Sequence, residues 1–222
     1  MKIGNLREEK PRRTELPNGL RIITERLRHV RSVSTGIWTA TGARWEAPGE
    51  TGIAHFLEHM LFKGTLNRSV AEIARTMDAL GGNLDAYTSK ELVSYNVKVL
   101  APHLPTAMDV LSDMVRNPLL AEEDIEKEKG VILEELKMEQ DNPESFANDL
   151  FQELFWPDHT LGTPILGTPE TVAEFSPTIV RRYFQDYYVP ANMVVTAAGN
   201  IEHDAFVELV ASRVRPGSWS NA

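Results

Sequence analysis

The chain has 222 residues, 42% hydrophobic and 25% charged, which is enough for one sizeable core or two small ones. A formal net charge of −9 argues against nucleic acid, because a phosphate-binding surface needs an excess of Lys and Arg. The absence of cysteine removes disulfides, thiolate metal sites and cysteine nucleophiles, so any transition-metal site must be built from His and carboxylates.

The first ten residues lack the apolar run of a secretory signal. No stretch approaches the roughly 20 apolar residues of a membrane helix, so no membrane contact is expected and a cytoplasmic address follows by default. A tail at 1–12 precedes a hairpin in which the turn residues of Leu16-Pro17-Asn18-Gly19-Leu20 join Thr14–Leu16 to Arg21–Thr24. Val33 to Thr39 reads as a further strand, followed by a loop at 43–51. From Gly52 the period changes: Ile53, Phe56, Leu57, Met60 and Leu61 recur at the spacing of a helix pressed onto a core. Ser69 with Glu72 forms a capping-box pattern ahead of a second stripe, Val70, Ile73, Ala74, Met77 and Leu80, which ends at Gly81-Gly82.

Strict alternation in Val93, Tyr95, Val97 and Val99 predicts a half-buried strand. Two helices follow, one carrying Leu104, Ala107, Met108, Leu111 and Val115, the other running from about Glu122 to Glu139. Helical stretches near 144–154 and 177–187 flank a Gly/Pro-rich loop at 156–169. A last strand, Met193–Ala197, leads through Gly199 to a helix at about 204–213, and the end from Pro216 has linker composition. Strands early, midway and late, with helices in consecutive groups, predict an α+β fold rather than regular βαβ winding.

One constellation carries chemistry. His55, Glu58 and His59 fall at i, i+3 and i+4, on one face of the predicted helix and away from its apolar stripe. Two imidazoles one turn apart can share a metal ion, and a Glu beside them can reach a water on it. Zinc suits imidazole and carboxylate ligands, and a catalytic zinc wants a third protein ligand. The Glu-rich helix at 122–139 offers several, among them Glu128 and Glu135, two turns apart on one face. Spacing alone leaves the third ligand open among these carboxylates. His29, His103, His159 and His203 have no ligand spacing and read as surface or loop histidines.

The stretch His55-Phe56-Leu57-Glu58-His59-Met60-Leu61-Phe62-Lys63-Gly64-Thr65 resembles the signature of the inverzincin peptidases, the pitrilysin and mitochondrial processing peptidase group. Further blocks resemble the same family in the same order: Leu16–Leu20, Gly81-Gly82 with Ala86–Glu91, Glu128–Glu135, Leu166-Gly167-Thr168 and Ala198-Gly199-Asn200. The resemblance covers residues 13–214, is nearest the bacterial processing-protease branch, and implies an N-terminal zinc metallopeptidase domain with a linker-like end at 215–222. It also implies a two-layer sandwich, a mixed and mainly antiparallel sheet with helices packed on one face.

The family pattern places the third ligand in a Glu-x6-Glu pair, which here is Glu128 and Glu135. The resemblance thus assigns one Zn2+ per chain to His55, His59 and Glu135, with Glu58 as general base and Glu128 orienting a ligand. Glu134 lies one position off that register, about 100° around the helix. Asp85, Ala86, Tyr87 and Thr88 would form an edge strand to which an extended peptide or unfolded-protein substrate adds; the family commonly has Asn where this chain has Asp85. Family subunits usually pair two homologous halves, the second contributing an Arg and a Tyr at the site. A second half or oligomer partner is therefore expected. The alternative is a metal-binding half-subunit, inactive alone, that encloses peptides together with its partner. A lyase using the same His-x-x-Glu-His motif needs cysteines that this chain lacks.

Overall fold

The computed structural model describes residues 10–214. Strands β1 (Arg12–Glu15) and β2 (Arg21–Arg26) form the N-terminal hairpin, and β3 (Ser32–Thr39) follows. Helices α1 (Ile53–Leu61) and α2 (Val70–Ala79) lead to β4 (Asn83–Thr88) and β5 (Val93–Leu100). Then come α3 (Leu104–Arg116), α4 (Glu122–Asp141), α5 (Pro143–Phe155), α6 (Pro169–Glu174) and α7 (Pro177–Tyr187). The described chain ends with β6 (Met193–Gly199) and α8 (His203–Arg213).

The six strands make one sheet in the order β1-β2-β6-β3-β5-β4. Among the described residues only the β2–β6 pair is parallel, so the sheet is mixed and mainly antiparallel, as expected. Register aligns Ile22, Val195, Ile37 and Tyr95 across the sheet, and the period of two then puts Val33, Val93, Val97, Val99, Met193 and Ala197 on the same face. All of these side chains are buried, and each of the Val, Ile and Met side chains stabilises the fold by about 1.5–3 kcal/mol relative to exposure. Helix α1 packs on β4 and β5, α3 on β3 and β5, and α8 on β2. No helix among the described residues is long and apolar enough to cross a membrane.

Four details depart from the sequence reading or lie beyond it. Arg12 is already in β1, within the expected tail, whose residues 1–9 lie outside the described residues. The expected linker at 215–222 lies outside them too. Helix α6 follows the loop expected at 156–169 directly: Thr168 before Pro169 is a cap-then-proline start signal, and its side chain accepts from Thr171 N. His203 is not a surface histidine: it is buried, with Nδ1 2.7 Å from Thr24 Oγ1 and Nε2 2.8 Å from Thr14 Oγ1. Two hydroxyls satisfy the ring and tie α8 to the hairpin, a cross-chain pairing that no local spacing signals.

Candidate metal centre

Helix α1 lies against the sheet because its apolar stripe is continuous: Ile53, Phe56, Leu57, Met60 and Leu61 are all buried. The remaining face presents His55, Glu58 and His59. Across from it runs α4, anchored by buried Ile125, Ile132 and Leu136, and the same helix turns Glu128 and Glu135 toward α1.

Three donors converge. His55 Nε2 is 3.8 Å from Glu135 Oε1, and His59 Nε2 is 3.6 Å from Glu135 Oε2. One donor atom from each of the three residues lies within 4.8 Å of the other two. Those N···O gaps are too long for hydrogen bonds. They are close to the separation of two ligands on a tetrahedral zinc, about 3.4 Å for bonds of about 2.05 Å. The donor set therefore fits a zinc ion. Glu134, by contrast, is exposed and pairs with Lys137. His55 is buried, 7% exposed, and its Nδ1 has no hydrogen-bond partner among the described residues. Burial first, and then the neighbouring His59, push the His55 ring down to about 4. Such a ring is neutral at pH 7, the form in which imidazole binds metal.

Glu128 is 2% exposed and holds His59 from behind, its Oε1 2.8 Å from His59 Nδ1. A carboxylate only accepts, so Nδ1 donates and the lone pair of Nε2 is left facing Glu135. Lys63 Nζ lies 2.5 Å from the other Glu128 oxygen and balances its charge. The sequence reading did not single out Lys63. It lies within the signature stretch His55–Thr65, four residues and one turn after His59.

Glu58 stands beside the three donors, and the Thr88 hydroxyl donates to its Oε2. Burial raises Glu58 above the ordinary carboxylate range, against the opposing pull of the Thr88 bond and His59. Thr88 belongs to β4, which among the described residues pairs only with β5 and forms an edge of the sheet. The four residues singled out on this strand do not converge as side chains. Thr88 is buried toward α1, whereas Tyr87 is 61% exposed and Asp85 accepts from Asn83 Nδ2 at 3.1 Å. What they share is the edge backbone.

Comparison with known proteins bears on this arrangement. The family model for insulinase, peptidase family M16, matches residues 21–169, and that for the peptidase M16 inactive domain matches 174–215. An uncharacterized zinc protease of Streptomyces coelicolor is 46% identical over 199 residues, covering 90% of this chain and 43% of the relative. The uncharacterized zinc protease YmxG of Bacillus subtilis is 47% identical over 191 residues, covering 86% of this chain and 46% of its own. The chain thus spans less than half the length of these relatives. A protease from Helicobacter pylori superposes with a TM-score of 0.90 at 24% identity, over 94% of this chain and 51% of that one. The periplasmic protease PqqL from Escherichia coli gives 0.85 at 26% identity, over 93% and 24% respectively.

Proposed function

This chain belongs to the insulinase family of peptidases, M16, and from that premise we propose that it is a zinc-dependent endopeptidase domain with Glu58 as its general base. The observation that carries the proposal is the convergence of His55, His59 and Glu135 within 4.8 Å, with Glu58 near enough to feel the charges of His59 and Glu135. His55, His59 and Glu135 would hold the ion, and Glu128 would keep His59 in the ligating tautomer. A zinc ion in such a set supplies Lewis-acid polarisation of a carbonyl and lowers the pKa of water toward neutrality.

The chain's own residues divide the remaining work. Thr88 ties down one oxygen of Glu58 and leaves the other to take a proton from water. The raised affinity of Glu58 for that proton lets it hold the proton until the leaving amine needs it. The free edge of β4 offers main-chain groups to an extended peptide, which fixes the scissile bond relative to Glu58. One Zn2+ per chain and peptide or unfolded-protein substrates follow from this reading.

Glu58→Gln keeps the size of the side chain and removes its basicity. It should leave zinc bound and lower cleavage of a fluorogenic peptide by about 10²–10⁴-fold. Loss of zinc in that variant would make Glu58 a ligand and overturn its assignment as base. A second reading is favoured by the chain's spanning less than half of its relatives: this half binds metal but cleaves only with a homologous second half. Zinc-loaded wild-type chain with no cleavage would select it.

A further inference from the structure

We propose that Glu46 is a positioning residue for the metal centre: from the loop before α1 it sets where that helix begins, and so where His55, Glu58 and His59 stand against α4 and β4. The inference rests on the metal-centre reading above.

Glu46 is a carboxylate with 5% exposure, and both its oxygens are committed to the first turn of α1. Gly52 N donates to Oε2 and Ala54 N to Oε1, each at 2.9 Å. These are amides that a helix start leaves without intrahelical partners, and an anion there also meets the positive end of the helix dipole. A cap normally comes from the residue at the helix boundary itself. That is impossible here. Gly52 sits at φ +95°, and a Cβ on it would stand 2.6 Å from both Gly167 Cα and Leu166 O. The boundary position cannot carry a side chain, so the acceptor reaches in from Glu46.

The same approach grips the helix from its other side. A Cβ on Gly167, at φ +83°, would meet Thr51 O at 2.4 Å, and Thr171 Oγ1 donates to Thr51 O at 2.7 Å. The start of α1 is thus held between Glu46 and the 166–171 segment. Burial pushes Glu46 up to about 7, opposed by its two backbone bonds and by Lys90, so holding a carboxylate at this position is unfavourable by itself.

Apolar packing alone does not explain why such a group is there. Burial of Phe56 and Leu57 keeps α1 on the sheet, but that force is non-directional. Two hydrogen bonds to amides two residues apart fix both the axial position and the rotation of the helix. A zinc site tolerates ligand distances within about 0.2 Å, whereas one residue of slip moves a helix about 1.5 Å and turns it about 100°. His55 directly follows Ala54, so the constraint is applied next to the first ligand.

The test is a Co2+ titration followed by its ligand-field absorption, beside thermal unfolding of each chain in chelator. Glu46→Gln retains one acceptor and turns an amide NH2 toward the other N–H. It should weaken cobalt binding about tenfold and shift the absorption band. Glu46→Asp, one methylene shorter, should fall between Glu46→Gln and wild type, and it decides the matter if Glu46→Gln does not fold. Val210→Ala, a core change in α8, is the control for mere destabilisation: it should lower the melting temperature and leave the band unmoved. Wild-type affinity and an unmoved band in the Glu46 variants would overturn the inference. So would equal loss of affinity in Val210→Ala. A wild-type chain that binds no cobalt would instead remove the metal-centre reading itself.

Discussion

Helices α1 and α5 both carry apolar residues at helical spacing, yet seven of the nine residues of α1 are buried and none of the thirteen in α5 is. Phe146, Phe151, Leu154 and Phe155 of α5 are each more than half exposed, and Phe151 and Phe155 stack on each other with centroids 5.5 Å apart. The ties of α5 include the Asn142 side chain accepting from Glu144 N and Ser145 N, packing on α4, and the pull of Lys90 on Asp149. Helix α1 is instead bound to the sheet, to α4 through the His59–Glu128 pair and to β4 through Thr88. Periodicity marks which residues share a face. It does not say whether anything covers that face, and only the covered helix can hold ligands to a fraction of an ångström.

The contrast can be broken by measurement. Phe56→Ala in α1 should cost about 3–5 kcal/mol of stability, the usual loss for a fully buried aromatic. Denaturant unfolding of the chain in chelator would read it. A loss below about 1 kcal/mol would mean that α1 is no better anchored than α5.

A smaller effect comes from the ring that α1 buries. His55 titrates near 4 in the folded metal-free chain and near 6.5 when unfolded. Between those values the unfolded state binds more protons, so stability falls as pH drops from about 6.5 toward 4 and is restored as pH rises. The contribution is up to about 3 kcal/mol. His55→Asn should flatten that part of the stability profile measured in chelator, and an unchanged slope would place the acid sensitivity elsewhere. The smallest effect belongs to α5: Phe151→Ala should change stability by about 0.5 kcal/mol or less. A loss as large as that of Phe56→Ala would show that α5 is part of the core.

Much of this arrangement was legible in the sequence wherever the signal was local. The alternation of Val93 to Val99, the stripe of α1 and the Ser69–Glu72 capping box each stand in the structure as read. His55, Glu58 and His59 come together because one helix carries them. Glu135 needed more: among the many carboxylates of α4, spacing could not choose, and the family pattern did. What stayed hidden is non-local. Strand β6 enters between β2 and β3 from the far end of the chain, a pairing that no window of sequence contains. Glu46 sits in the expected loop at 43–51, and nothing local shows that Gly52 and Ala54 donate to it; His203 reads as a surface or loop histidine until Thr14 and Thr24 close around it.

The central claim is that α1 and α4 together hold one zinc through His55, His59 and Glu135. Elemental analysis and chelator competition on the wild-type chain, Glu135→Gln and Glu134→Gln test it most directly. The account predicts zinc near one per wild-type chain, affinity lowered at least about 100-fold in Glu135→Gln, and no change in Glu134→Gln. A wild-type chain without zinc, or the reverse ranking of the two variants, would contradict it.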